Sequence, residues 1–400
     1  MLTYEEALAR ILAALPPLRS EQVPLAEAAG RFLAEPVVST LDLPPFDNSA
    51  MDGYALRAAD VASATAEKSV ALRLIGQVGA GQVFKGGVGV QTCVRLFTGT
   101  PLPAGADAVV MQEDTHAEGD TVLVLDRARP WENVRLRGED VKAGAVLVTP
   151  GTRLGAGHLG LLAAVGTARV RVARRPRVAI VATGSELRPP GKPLAPGQIY
   201  ESNRTMLAAM LTACGAEVRP LPLVPDTLTR TRNALQRAFA ENDAVVTSGG
   251  ASVGQLDFVK AAFTELGGSQ EFWKVAIKPG KPFVFGTLQG KLLFGLPGNP
   301  VSAFVTFLLL VRPALLRWQG ATEVALPAHP GTLVESLVNR GDRRHFVRVR
   351  VDAEGRVHSA GIQASHRMHS LAAANALVDA PPATTLVAGA TVRVLRIDGL

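Results

Sequence analysis

From Arg177 to about Gly320 short continuous apolar runs alternate with stretches of helical period, the pattern of a parallel sheet covered on both faces by helices. Residues 178–182 read as a buried strand, and Ser202 or Asn203 opens a helix that carries Met206, Met210 and Leu211 and stops at Gly215. Residues 221–224 are expected to return as a strand. Asp226 stands where a cap belongs for a helix running to about Ala240, and residues 244–246, 283–285 and 292–294 supply further strands. Asn299, with Pro300 at the first helical position, opens a long helix whose end Pro313 disturbs.

Outside this core the periods change. Residues 55–140 are rich in Gly and short Val runs, such as 108–111 and 121–125, and predict a small β-rich unit. Residues 344–351 alternate charged and apolar side chains, Glu354-Gly355 supplies a turn, and residues 390–397 alternate again, so the tail reads as a second small β-unit. At the start, Thr3-Tyr-Glu-Glu6 ahead of Leu8, Ile11, Leu12 and Leu15 is a capping box on an amphipathic helix. Residues 143–171 hold a helical stretch at 159–164 and an alternating one from 167 to 172, without a pattern that assigns them to either neighbour. The fold class is therefore multidomain α/β plus β: a central three-layer α/β domain, a β-rich second domain and a small C-terminal β-domain.

Composition narrows the function classes. A chain of 400 residues, 47% apolar with mean hydropathy +0.19, fills two to four packed cores. Net charge +7 and a pI near 9.7 suit a polyanionic ligand, but three Trp, three Tyr and no nucleic-acid motif argue against nucleic acid. The N-terminus has no signal-peptide pattern, and the apolar run 301–311, broken by Ser302 and Thr306, is too short to cross a bilayer; no membrane partner and a cytoplasmic location are expected. Cys93 and Cys214 lack metal or redox spacing and read as packing residues, and His366 and His369 as a surface pair.

Chemistry concentrates in three places. Residues 272–300 carry Lys274, Lys278, Lys281 and Lys291 without one Asp, Glu or Arg, although only nine of the 42 basic residues are Lys. Ammonium groups held between Pro-Gly turns suit an oxyanion; a solvated basic loop is the other reading. The segment Ser248-Gly-Gly-Ala-Ser-Val-Gly-Gln-Leu-Asp257 leaves a strand through Gly249, Gly250 and Gly254, with Ser248 and Ser252 as hydroxyl donors and a helix to follow, which suits a phosphate cradle but matches neither a P-loop nor a dinucleotide fingerprint. Glu186, Asp226 and Asp257 each follow an apolar run and are candidates for one Mg²⁺, which favours sparse carboxylates plus water; Asp226 reads equally well as a helix cap.

Four longer motifs, Pro45-Phe-Asp-Asn-Ser-Ala-Met-Asp-Gly-Tyr-Ala55, Thr98-Gly-Thr-Pro-Leu-Pro-Ala-Gly-Ala-Asp-Ala-Val-Val110, Arg137-Gly-Glu-Asp140 and Leu296-Pro-Gly-Asn-Pro-Val-Ser302, occur in that order. Together they closely resemble the bacterial molybdopterin molybdenumtransferase family, MoeA-like and related to the E domain of gephyrin, over nearly the whole chain. The resemblance implies a homodimer with an active cleft on a molybdopterin-binding α/β domain, completed by the other subunit. It implies an outer domain of residues 1–20, 39–46 and 141–172, a β-rich domain of 21–38 and 47–140, the α/β domain at 173–325 and a C-terminal domain at 326–400.

It further implies that molybdate is inserted into adenylyl-molybdopterin with release of AMP, the substrate coming from an adenylyltransferase partner. Lys274, Lys278 and Lys281 would hold phosphate and molybdate, with Pro297, Gly298, Asn299, Ser302, Arg343 and Ser365 extending the pocket. Asp52, Thr98 and Asp140 would approach from the second subunit. Ser185 replaces an Asp frequent in this family, Ala364 a Gly and Thr100 an Ala. A nonenzymatic gephyrin-like scaffold and a CinA-like nucleotide pyrophosphate hydrolase are the alternatives.

Overall fold

A computed structural model describes residues 1–249 and 258–398. Its centre is a six-stranded sheet in the spatial order Glu217–Pro220, Arg177–Ala182, Ala244–Ser248, Lys291–Leu296, Pro282–Leu288, Ser269–Lys274. The first four strands are parallel, as expected, but Pro282–Leu288 runs against them and pairs antiparallel with both Lys291–Leu296 and Ser269–Lys274. The reason is local. Gln289 and Gly290, at φ 50° and 75°, put both central residues of a two-residue turn in the left-handed region, which reverses the chain at once and leaves no length for a crossover helix.

Two other elements depart from expectation. The returning edge strand is Glu217–Pro220 rather than residues 221–224, because Pro222 and Pro225 cannot donate to a ladder; Val224 makes only an isolated bridge to Thr183. The helix Leu228–Glu241 is capped by Thr227, whose hydroxyl accepts from the Arg230 N–H at 3.3 Å, so Asp226 is not its cap.

The sheet is buried on both faces. Helices Asn203–Ala213 and Pro300–Trp318 cover one, where Phe272, Phe283, Phe285 and Phe294 pack with successive ring centroids 5.5–6.0 Å apart. Helices Leu228–Glu241 and Phe258–Glu265 cover the other through Leu235, Phe239 and Phe263. The helix Pro300–Trp318 runs 19 residues, long and apolar enough to cross a bilayer, where the sequence suggested a shorter run; 78% of its apolar window is buried inside the protein. Pro313 does not end it. The residue lacks an N–H and crowds the carbonyl four positions back, and the turn Phe307–Val311 widens to π geometry ahead of it.

The N-terminal helix Tyr4–Ala13 has its capping box, with the Thr3 N–H donating to Glu6 Oε2 at 2.8 Å and the Glu6 N–H to Thr3 Oγ1 at 3.2 Å. Its Ala7 and Ile11 join the core under Pro300–Trp318, so this helix packs on the α/β unit. Strand Ser20–Pro24 pairs with Arg169–Ala173, and Val37–Val38 with Val146–Val148, around Leu33, Leu162 and Val172. Residues 21–38 thus pack with 146–173, a correction to their expected place in the β-rich unit. That unit is a separate six-stranded sheet, with Cys93 fully buried and its thiol pushed up to about 12 by desolvation. Burial pushes the Cys214 thiol up to about 11, so both cysteines are inert packing residues.

At the C-terminus, Arg344–Val351 pairs with both Arg356–Ser359 and Ala376–Ala380, and with Ala328–Leu333 and Thr391–Arg396 the strands close into a small barrel. Ile277–Lys278, leaving the α/β unit, joins it in parallel with Lys278 opposite His345. His345 is buried with no partner on either ring nitrogen among the described residues, and burial, then the charges of Lys278, Arg348 and Arg343, push its pKa down to about 4. Between pH 6.5 and 4 the unfolded chain therefore binds the proton more readily than the folded one, and stability falls as pH falls. Urea midpoints measured across that window should decline more steeply for the wild type than for His345→Leu; parallel declines would rule the imidazole out as the cause.

Candidate active site

The sheet order reverses between Arg177–Ala182 and Ala244–Ser248, and at their carboxyl ends opens a cleft of about 610 Å³. Thr183 and Gly184 form one wall, Ser248 and Gly249 the floor, and Gly298, Asn299 and Pro300 the other wall. Gly249 is required here: its φ is +83°, and a Cβ would sit 2.6 Å from the Thr183 carbonyl oxygen.

Glu186 and Asp226 both line this cleft. Asp226 Oδ2 accepts from the Ser185 N–H at 3.0 Å, and Ser185 Oγ accepts from the Asp226 N–H at 3.0 Å. The neutral Ser185 therefore clasps two cleft loops together and positions the Asp226 carboxylate. Among the described residues no group of three or more His, Cys, Asp or Glu converges on a metal position. Gly250, Ser252, Gly254 and Asp257 lie outside the described residues, so the third expected carboxylate is not placed.

The opposite wall is tied to the Ser365 loop. The N-terminus of Pro300–Trp318 faces the cleft, the Val301 N–H donates to the Ser365 carbonyl at 3.1 Å, and Asn299 Nδ2 donates to Ser365 Oγ at 3.1 Å. The Ser365 loop is held from below by the buried Arg348 guanidinium, which donates to the carbonyls of Ile362 at 2.9 Å and Ala364 at 3.2 Å. Ser302 is buried in the first turn of the helix. A Cβ on Gly280 would lie 2.3 Å from Thr306 Cγ2, so the turn carrying Lys278 and Lys281 rests on the same helix. Arg343 donates to the Ile277 carbonyl at 3.2 Å, which sets its guanidinium beside Lys278.

The four lysines do not form one cluster. Lys274 lies opposite Pro282, Val284 opposite Gly295 and Leu296 opposite Ser248, which puts Lys274 and Lys281 at the cleft end of the sheet. They line a neighbouring groove with Arg10 and Trp273, and Lys274 Nζ sits 3.7 Å from the Trp273 ring centroid. Lys291 begins its strand at the far end, where its ammonium donates to the carbonyls of Phe239 and Ala240 that close a helix.

Asp52 and Thr98 meet in the β-rich unit, the Thr98 N–H and Oγ1 donating to Asp52 Oδ1 at 2.7 and 2.8 Å. These bonds hold the Asp52 carboxyl below the usual range. Asp140 is exposed in a loop, and none of the three lines the cleft of its own chain. Pro297 is buried beside the wall. Sequence reasoning missed Thr183 as a cleft residue, used Asn203 only as a helix opener and read His366 as half of a surface pair; all three line the cleft. For His366 a signal existed, since it follows Ser365 directly.

A family model described as the MoeA N-terminal region (domain I and II) matches residues 2–166, one described as a probable molybdopterin binding domain matches 179–317, and one described as the MoeA C-terminal region (domain IV) matches 330–397. A Haemophilus influenzae protein called molybdopterin molybdenumtransferase is 40% identical over 385 residues, covering 94% of each chain. Molybdopterin molybdenumtransferase 2 of Mycobacterium tuberculosis is 40% identical over 394 residues, covering 97% of this chain and 96% of its own. The crystal structure of a molybdopterin biosynthesis MoeA protein from Pyrococcus horikoshii superposes with a TM-score of 0.86 at 34% identity, covering 100% of both chains.

Proposed function

The chain belongs to the MoeA family of molybdopterin molybdenumtransferases, and from that premise we propose that its strand-end cleft binds adenylyl-molybdopterin and molybdate and releases AMP as molybdenum is inserted. Molybdenum insertion in cofactor biosynthesis is the activity of the family. The observation that carries the finer reading is one cleft with two carboxylates, Glu186 and Asp226, on one side and, at Asn299 and Pro300 on the other, a helix N-terminus whose dipole favours an anion.

Opening a phosphoanhydride requires charge on the leaving phosphate to be neutralised and a nucleophilic oxygen to be fixed in place. Lys278, Arg343, Ser302 and Ser365 would present cations and donors to phosphate and to tetrahedral molybdate, with Lys274 and Lys281 drawing the anions in from the adjoining groove. The sparse all-oxygen donor set of Glu186 and Asp226, with Asp257, fits Mg²⁺, which when bound would neutralise phosphate charge. Ser248, Gly249 and, beyond the described residues, Gly250, Ser252 and Gly254 would cradle the phosphate, beside Pro297 and Gly298.

Asp52, Thr98 and Asp140 lie away from their own cleft, which supports a homodimer in which they reach the partner's. An adenylyltransferase would hand over the substrate in the cytoplasm. The test is AMP release from purified adenylyl-molybdopterin with Mg²⁺, with and without molybdate. Molybdate-dependent release is expected. A folded dimer that releases none would put the scaffold reading first, and equal release from unrelated dinucleotides would favour the hydrolase.

A further inference from the structure

We propose that Asn203 is a specificity residue of the cleft, its Oδ1 accepting a hydrogen bond from an amino group or ring N–H on the heterocyclic part of the substrate. The inference deepens the reading above and rests on it. Asn203 is 8% exposed, lines the cleft, and spends both amide hydrogens on protein: Nδ2 donates to Ser248 Oγ at 2.8 Å and to the Gly298 carbonyl at 2.7 Å. A carbonyl only accepts, so the atom beside Gly298 is the nitrogen and the amide cannot be turned over. Its Oδ1 is thereby fixed, buried and without a partner among the described residues, and Thr183 Oγ1, also in the cleft, is buried and unpartnered among them too.

An orphaned buried acceptor is costly to leave unmatched, and one that lines the cleft describes a surface shaped for a donor that the described residues do not supply. The carboxylates and the helix end already account for metal and phosphate, and neither needs a neutral amide oxygen. The amine and ring N–H donors on the heterocycles of adenylyl-molybdopterin are the adenine 6-amine and the 2-amine and N–H edge of the pterin. Both present an aromatic amine to a carbonyl-type acceptor.

Isothermal titration of the full chain with two probe pairs separates the sources: AMP against purine riboside 5′-monophosphate, and pterin against lumazine, which carries a carbonyl in place of the amine. One pair should show a preference of about tenfold or more for the amine. Asn203→Ala should abolish that preference by weakening the amine-bearing probe while leaving its amine-free partner unchanged. No preference in the wild type, a preference that survives in Asn203→Ala, or equal weakening of both probes, which marks a purely structural role, would each overturn the assignment. Molybdate-dependent AMP release by the same preparation keeps the two failures apart. Turnover without amine preference rejects the role of Asn203 alone, and absence of turnover rejects the functional reading.

Discussion

Asp226→Asn should lower molybdate-dependent AMP release by about 10²- to 10³-fold while leaving the fold intact. One carboxylate oxygen, Oδ2, is taken by the Ser185 N–H, and Oδ1 has no partner among the described residues. An amide oxygen can still accept from Ser185, so the clasp between the two loops survives and the urea midpoint should not move. What disappears is the negative charge beside Glu186. If that charge holds Mg²⁺, the lost rate should be partly restored by raising Mg²⁺, since a weakened site fills at higher concentration. If the carboxylate instead takes a proton, excess metal will not help. A folded Asp226→Asn enzyme with wild-type turnover would remove Asp226 from the machinery altogether.

The cleft's two sides were unequally legible in the sequence. Residues 178–182 and 244–246 are continuous apolar runs, and a run that must be dry on both faces announces both the strand and the crevice at its end. Glu217–Pro220 is an edge strand with mostly exposed side chains, so no hydrophobic period marks it. Lysines close in sequence were read as close in space, but strand Pro282–Leu288 carries the chain away from the cleft, and the tight reversal at Gln289 and Gly290 leaves Lys291 at the far end of the sheet. Asp52 and Thr98, 46 positions apart, are joined by hydrogen bonds that no local pattern encodes; only the resemblance pointed to them. The orphaned oxygen of Asn203 depends on Ser248 and Gly298 arriving from distant strands, and so becomes visible only after folding.

Gly249→Ala should destabilise the α/β unit by about 2–4 kcal/mol, the sum of a left-handed backbone penalty and a steric clash. The first part alone is measured by Gly290→Ala, where φ is +75° and a Cβ meets nothing within 4 Å; that variant should cost only about 1 kcal/mol. At Gly249 the added carbon would stand 2.6 Å from the Thr183 carbonyl oxygen. That oxygen cannot swing aside freely, because the Thr183 N–H is bonded to the Ser248 carbonyl at 3.1 Å and Thr183 also bridges Val224. The ends of the two central strands must therefore separate, and these are the strands that set Thr183 and Ser248 in the cleft. Urea unfolding followed by tryptophan fluorescence, to which Trp273 and Trp318 in this unit contribute, measures the difference between the two variants. Equal costs would show that the close approach at the cleft floor is relieved without strain. A larger cost for Gly249→Ala, accompanied by loss of AMP release in the population that remains folded, would tie the spacing of the strand ends directly to turnover.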